Sequence, residues 1–395
     1  MDRLMLVSSD CHAGAPWRDY RPYVESRRRA DFDAWLHQAE ASQDLSSGIK
    51  IDPHGRTRRA QWNKEKAVQQ GGVKGAWDAA LRHRELDREG VAAEVMFPDG
   101  QSKNHQPFSA VSGVPTTPEL RAAGARAYNR WLADFCSDSP ERHAGMAAIP
   151  TLDIPAAVKE IQWARKAGLR GIVLSGMGLS AHEPEAFWHH PRYEPIWASA
   201  ASLDMPVHLH LTGETTNYGA DTPALRWINS AEIFWLSRRP TWFMIWGGVL
   251  ERHPTLKFVN TEAGGSWVPN TLETLDYLWE VRNPDEARKV LPKPPSEYWR
   301  RQCYIGASPP SGRSDVEMRK TIGVGNLMWG SDYPHLEGTW PHSQERLKDM
   351  FHGVPAKDCR AILGETAINV YGLDRAKLRP IAQKIGPTLA SVNAN

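Results

Sequence analysis

The sequence predicts an α/β protein, a TIM-type (β/α)8 barrel with a helical insertion after the first strand. Short apolar segments alternate with helical patterns along most of the 395 residues, and eight such segments can be counted. Eight parallel strands, each followed by a helix, make this barrel. An open doubly wound sheet usually carries a glycine-rich turn after its first strand, and here that turn reads Asp-Cys-His. We therefore expect one barrel over residues 1–380.

The predicted strands are separated by segments of very different character. Residues 17–87 are polar and rich in arginine, and we expect a helical insertion that forms a lid over the site. Its tryptophans Trp17, Trp35, Trp62 and Trp77 would suit a flat or aromatic substrate. Residues 381–395 show no clear pattern and are expected to be a C-terminal tail. The predicted strands are 4–9, 91–97, 145–149, 171–175, 206–211, 257–261, 303–305 and 326–329.

Composition argues against several classes of function. The net charge is only +2 and the basic residues are scattered, which predicts no binding of nucleic acid. No apolar run reaches the roughly 18 residues that a membrane span requires, and the amino terminus lacks a secretory pattern. The four cysteines form no CxxC pair, which argues against disulfides and thiolate zinc sites. We expect a cytoplasmic enzyme with a small-molecule substrate.

Residues that could bind a metal follow three of the predicted strands. Asp10 and His12 are two residues apart after the first strand, so they point the same way in an extended chain. His208 and His210 repeat that spacing at the fifth strand, and Asp332 follows the last. Singly, such residues are more often turn, cap or core residues. Because a barrel gathers its strand ends at one face, together they favour one divalent cation, zinc first, then manganese or iron.

Five motifs extend this interpretation over nearly the whole chain. They read SDCH at 9–12, PVHLH at 206–210, ERHPTLKF at 251–258, WGSDYPH at 329–335 and ILGETA at 362–367. In kind and order they resemble the metal-dependent amidohydrolase 2 family of the amidohydrolase superfamily. That family also contains aminocarboxymuconate semialdehyde decarboxylase and related non-oxidative decarboxylases.

The resemblance implies a set of roles for particular residues. Asp10, His12, His210 and Asp332 would hold the metal, and Asp332 would also shuttle a proton. No lysine follows the fourth strand, where Gly176 and Met177 stand, which implies one metal rather than a lysine-bridged pair. The resemblance further implies a homodimer.

One departure from the family bears on the reaction. Glu262 follows the sixth strand, where many members carry a histidine implicated in acid/base work. It becomes a candidate second acid/base, provided that burial raises its pKa. His208 and His335 are candidates for contacts with the ligands or the substrate, and we take His208 as a catalytic candidate.

The expected function is hydrolysis of a C–N or C–O bond in an amide, lactam, lactone or ester of a small, cyclic or aromatic substrate. Metal-activated water would attack, with Asp332 as the base. Loss of the sixth-strand histidine favours this reaction, because decarboxylases of the family commonly keep it. The alternative is non-oxidative decarboxylation of a hydroxylated aromatic acid. A binding protein with a structural metal is less favoured, because such sites are usually closed and rich in cysteine.

Overall fold

Eight parallel strands form a closed barrel at the centre of the molecule. The structure is a computed structural model that describes residues 2–41, 70–98, 104–109, 112–174, 187–210, 224–308, 312–335 and 337–394. The strands pair in sequence order from β1 to β8, and every pair is parallel. β1 also meets the segment after β8 through a parallel bridge between Cys11 and Tyr333. The prediction of a (β/α)8 barrel is confirmed.

The strands lie close to their predicted positions, except that the first is longer. β1 continues to Ala13, so Asp10 and His12 lie within the strand rather than after it. Pairing with β2 carries the strand on, because Cys11 and His12 are in register with Met96 and Phe97. The bounds are β1 Leu6–Ala13, β2 Val91–Pro98, β3 His143–Ile149, β4 Gly171–Leu174, β5 Val207–Leu209, β6 Phe258–Thr261, β7 Cys303–Ala307 and β8 Leu327–Trp329.

Helices surround the barrel, and several begin at side-chain caps. Asp78, Thr117 and Asp153 each accept a hydrogen bond from a backbone N–H of the first turn of the helix that follows. The described α-helices are α1 Arg29–Ala41, α2 Ala79–Glu89, α3 Pro118–Ser137, α4 Ile154–Lys166, α5 Glu194–Ser202, α6 Leu225–Leu236, α7 Arg239–Trp246, α8 Val249–Arg252, α9 Val268–Val281, α10 Pro284–Val290, α11 Pro295–Gln302, α12 Arg313–Glu317, α13 Arg319–Ile322, α14 Ser343–Phe351, α15 Ala356–Arg360, α16 Thr366–Tyr371, α17 Arg375–Ile385 and α18 Leu389–Asn393. None of these helices combines the length and the apolar character that crossing a membrane would require.

The insertion after β1 is helical where the structure describes it. It contains 3-10 helices at Trp17–Tyr23, Ser26–Arg28 and Gly72–Ala76, together with α1 and α2. Trp17 and Trp35 are buried in the hydrophobic core with ring centroids 5.3 Å apart, so both serve in packing. Residues 42–69, which include Trp62, lie outside the described residues. The role of the insertion as a lid remains a prediction.

The segment expected to be a tail is built into the fold. It contains the end of α17 and all of α18, whose first turn is capped by the Thr388 side chain. Leu4 donates its backbone N–H to Pro387, and Leu389 donates to Asp2. These pairings join the two ends of the chain, a long-range contact that local sequence does not reveal.

A π-helix at Ala361–Glu365 overlaps the ILGETA motif and packs against β1 and β8. Gly364 lies against the start of β1, where a Cβ atom would stand 2.0 Å from the carbonyl oxygen of Met5. Only glycine allows that approach without moving the backbone. The motif therefore has a packing function at the face opposite the strand ends.

We predict that Gly364→Ala lowers the free energy of unfolding by about 3 kcal/mol, because the added methyl group must displace backbone atoms. The matched control is Gly325→Ala at an exposed position where a Cβ atom meets nothing within 4 Å. That control should change stability by no more than about 0.5 kcal/mol. Chemical denaturation of both variants checks this, and equal stabilities would show that the contact with Met5 is not needed.

Candidate metal centre

Asp10 and His12 bring a carboxylate and an imidazole from β1 to the carboxyl-terminal face of the barrel. Both side chains are buried, with 0% and 1% of their surfaces exposed. Asp10 Oδ1 lies 3.3 Å from His210 Nε2 and 3.5 Å from His12 Nε2. Ser308 donates a hydrogen bond from Oγ to the other carboxylate oxygen of Asp10. The carboxylate therefore lies between two imidazoles and is fixed from behind by a hydroxyl group.

The ring of His12 is arranged to ligate through Nε2. Its Nδ1 lies 3.4 Å from the carbonyl oxygen of Pro98, which favours a proton on Nδ1 and a lone pair on Nε2. Nε2 lies 3.2 Å from Asp332 Oδ1 and has no hydrogen bond of good geometry among the described residues. Burial, followed by the neighbouring His335, lowers the pKa of His12. The neutral imidazole is the form that binds metals.

Asp332 completes the predicted set from the segment after β8. It is fully buried, and neither carboxylate oxygen makes a hydrogen bond of good geometry with a described residue. Burial alone would raise its pKa, but the imidazoles of His335 and His12 hold the pKa below its usual range. Its backbone lies in the left-handed region at φ 59°, which is costly for a residue other than glycine. A backbone hydrogen bond of 2.8 Å from Asp332 N to Asp10 O holds this conformation.

The four predicted ligands come together, and three more side chains join them. Atoms within 4.8 Å of one another form three overlapping groups: Asp10, His12, His210 and Glu262; His12, Asp332 and His335; and Glu262, Asp332, His335 and Glu337. Glu262, also at φ 59°, places Oε2 3.5 Å from His210 Nδ1. Both Glu262 and His210 are partly exposed, with about a tenth of each side chain accessible. Asp10, His12 and Asp332 thus lie fully buried at the base of the cluster, and the slightly exposed His210, Glu262 and His335 form its rim.

The residues present fit a divalent cation. The lone pair of His12 Nε2 and both oxygens of Asp332 are buried without hydrogen bonds of good geometry among the described residues. Buried carboxylates that lack such partners are costly unless a positive charge balances them. The mixture of imidazole nitrogens and carboxylate oxygens suits zinc, manganese or iron.

His208 and Cys11 lie outside this cluster. His208 Nδ1 is 3.1 Å from Thr261 Oγ1, and its ring stacks on Tyr371 at 5.6 Å. Burial lowers the pKa of His208 well below its usual value, so the ring is neutral. Its catalytic role stays a prediction. Cys11 donates from Sγ to Ser8 Oγ, and burial raises its pKa, which makes it a packed thiol rather than a nucleophile.

Two partners of the cluster were not among the predicted ligands. His335 stacks on His12 with ring centroids 3.8 Å apart and places Nδ1 3.0 Å from Asp332 Oδ1. His335 is the last residue of the WGSDYPH motif, so its position beside Asp332 in that motif could have identified it as a partner of the cluster. Ser308 directly follows β7, and the rule that polar residues at strand ends build the site would have found it.

Two relatives of known activity match most of the chain. The gamma-resorcylate decarboxylase of Rhizobium sp. (strain MTP-10005) is 24% identical over 325 residues, which cover 78% of this chain and 94% of that protein. The 2-amino-3-carboxymuconate-6-semialdehyde decarboxylase of Dictyostelium discoideum is 24% identical over 312 residues, 76% of this chain and 78% of that protein. Both are named for loss of a carboxyl group.

A solved structure shares the fold. It is a 5-carboxyvanillate decarboxylase from Novosphingobium aromaticivorans with bound manganese and 3-methoxy-4-hydroxy-5-nitrobenzoic acid. It superposes with a TM-score of 0.65 at 15% identity, covering 94% of this chain and 97% of that one. At this level of identity the similarity shows the barrel fold.

The expectation of hydrolysis is wrong, because the matching relatives are decarboxylases. It rested on Glu262 standing where many family members carry a histidine. The structure shows that the site does not lack a further imidazole, since His335 enters from the other side, against Asp332 and His12. A substitution at one strand end thus says little about the reaction when another strand end supplies the same group.

We predict about one equivalent of divalent metal in the purified protein, as expected for one site with three or four protein ligands. His210→Ala and Asp332→Asn should lose most of it, because each removes a donor atom. His352→Ala is the control, since this exposed side chain lies outside the cluster and hydrogen-bonds to Asp349 O at the end of α14. Elemental analysis checks all four proteins, and metal retained in both site variants would refute the assignment.

A family model also matches most of the sequence. The model described as amidohydrolase matches residues 10–373, from the first predicted ligand to beyond the ILGETA motif. The match runs from the middle of β1 to beyond β8 and includes every residue of the cluster. The chain therefore belongs to the amidohydrolase family and is an enzyme of the amidohydrolase superfamily.

Proposed function

We propose that the chain is a metal-dependent, non-oxidative decarboxylase that acts on a hydroxylated aromatic carboxylic acid or a related small acid. The observation that carries the proposal is the buried Asp332 carboxylate, which lies against His12 and His335 at the base of the cluster. The names of the relatives support the reaction, and the names of the structural neighbours support the class of substrate.

Asp10, His12, His210 and Asp332 are the proposed ligands of the cation. When bound, the cation would supply a positive charge that stabilises the negative charge developing on the substrate during loss of the carboxyl group. Carboxylate-rich sites accept manganese well, and a structural neighbour binds manganese. We therefore propose manganese ahead of zinc.

Asp332 is the proposed proton donor. Because the neighbouring imidazoles hold its pKa below the usual range, Asp332 would carry a proton only in passing, taking it from His335 Nδ1 and delivering it to the ring carbon that bears the carboxyl group. The bond from that carbon to the carboxyl carbon then breaks, carbon dioxide leaves, and the electron pair restores the aromatic ring. His335 Nδ1, 3.0 Å from Asp332 Oδ1 and at the rim, is placed to return a proton to Asp332 after each turnover.

Glu262 is the proposed second acid/base. It stands at the rim beside His210, where it can accept a hydrogen bond from a ring hydroxyl group and take its proton. His208 is hydrogen-bonded to Thr261 Oγ1, and its catalytic role remains a prediction. The predicted homodimer remains a prediction.

The proposal is tested by supplying 2,6-dihydroxybenzoate and related hydroxybenzoates to the manganese-loaded enzyme. Carbon dioxide and the corresponding phenol should appear in equal amounts, and a chelator should stop the reaction until manganese is restored. A parallel panel of amides and lactones should not be cleaved. Cleavage of that panel without release of carbon dioxide would overturn the proposal.

We further predict that Glu262→Gln lowers kcat about 100-fold, the loss typical of a general acid or base, while metal content stays unchanged. Glutamine keeps the size of the side chain but cannot carry the proton. The control is Glu345→Gln on α14, an exposed position with 68% of its side chain accessible, which should leave kcat unchanged. A kcat of Glu262→Gln equal to that of the wild type would remove Glu262 from the mechanism.

A further inference from the structure

A buried ion pair lies directly behind the metal cluster. Arg82 of α2 and Glu94 of β2 are both 0% exposed. Arg82 donates from Nε to one Glu94 carboxylate oxygen and from Nη2 to the other, each at 2.7 Å. His143 Nδ1 lies 3.0 Å from the same carboxylate, which is thus held from two sides. Burial would raise the pKa of Glu94, but the Arg82 charge keeps it well below its usual range.

The remaining nitrogen of Arg82 reaches the backbone of a proposed metal ligand. Nη1 donates to the carbonyl oxygen of His12 at 2.6 Å and to that of Gly75 at 3.2 Å. On its other side, the backbone N–H of His12 donates to Tyr333 O at 2.6 Å. Both peptide groups of His12 are therefore fixed, one by the last strand segment and one by Arg82.

The same arginine connects the end of the insertion to the site. Its guanidinium group lies over the Tyr333 ring, 4.8 Å from the centroid. Tyr333 in turn donates from Oη to the carbonyl oxygen of Gly72 at 2.6 Å. A Cβ atom on Gly75 would lie 2.1 Å from that Oη, so the segment and the ring are in close contact.

Stability alone does not explain an arginine at this position. Replacing a buried ion pair with apolar residues of similar volume is often neutral or stabilising. Apolar residues could fill the space beside Glu94, but they could not donate to the His12 carbonyl. The hydrogen bond from Arg82 Nη1 to the His12 carbonyl therefore distinguishes this ion pair from one that only stabilises the fold.

We infer that Arg82, held by Glu94, is a positioning residue for His12: it fixes the carbonyl of His12, directs the imidazole toward the cation, and so sets the affinity for the metal. Residues that orient metal ligands commonly contribute about 10- to 100-fold in affinity. The inference rests on the proposed role of His12 as a ligand and not on the reaction.

The test compares the affinity of the full-length protein for Mn²⁺ with its stability. Two variants are made: Arg82→Lys, and the double variant Arg82→Met with Glu94→Leu, which leaves no buried charge of the pair unpaired. The dissociation constant of Mn²⁺ is measured by calorimetry on the metal-free proteins, and the free energy of unfolding is measured by denaturation. The electron paramagnetic resonance spectrum of bound Mn²⁺ reports the geometry of its ligands.

Arg142→Met is the matched control. Arg142 is also buried and also donates to backbone carbonyls of β2, those of Val91 and Ala92, but at the end of the strand away from the site. Its loss should lower stability and leave the Mn²⁺ affinity and spectrum unchanged.

Both Arg82 variants should bind Mn²⁺ about 10- to 100-fold more weakly, with an altered spectrum, even where the double variant is as stable as the wild type. Wild-type affinity and spectrum in the folded variants would overturn the inference while leaving the metal site intact. A wild-type protein that binds no Mn²⁺ would instead overturn the ligand assignment on which the inference rests. Failure of decarboxylation with these affinities as expected would count against the proposed reaction alone.

Discussion

The candidate metal centre depends on closure of the barrel between its first and last strands. Asp332 N donates to Asp10 O, and His12 N donates to Tyr333 O, so backbone hydrogen bonds alternate between the two segments. Below them, Ser8 Oγ accepts a hydrogen bond from Ser331 N at 2.9 Å. Through these contacts, ligands more than three hundred residues apart in sequence become neighbours. The same contacts hold Asp332 in its left-handed conformation.

The closed barrel carries an unfavourable arrangement of charge. The carboxylates of Asp10 and Asp332 are fully buried, and burial lowers the pKa of the adjacent His12. Burying carboxylates is costly in a protein interior unless a positive charge balances them, and a bound divalent cation would supply that charge. The buried carboxylates at the strand ends therefore lower the stability of the metal-free protein, and the apolar core of the barrel offsets this cost.

Much of this arrangement could be predicted from sequence, because the alternation of apolar segments indicates the strands and the position of a polar residue after a strand indicates the face on which it lies. Apolar segments revealed the strands, and the rule that strand ends share one face brought Asp10, His12, His210 and Asp332 together. The sequence did not predict that β1 continues to Ala13, because its last residues are polar and a polar segment usually indicates the end of a buried strand. Pairing with neighbouring strands buries them nevertheless. Arg82 stands in a polar segment that reads as surface, and its partner Glu94 is a single charge in an apolar strand. Such pairs are visible only once the elements are packed.

The inference about the reaction failed for a related reason. The role of Glu262 was inferred from its position in the sequence, whereas the reaction depends on which side chains lie close together in the site. His335 supplies an imidazole from a different strand end. The direct measurement is a crystal structure of the manganese-loaded protein with anomalous diffraction recorded at the manganese edge. One anomalous peak in contact with His12, His210 and Asp332 is the result we predict. A peak elsewhere, or none at full manganese occupancy in solution, would contradict a catalytic cation at the strand ends.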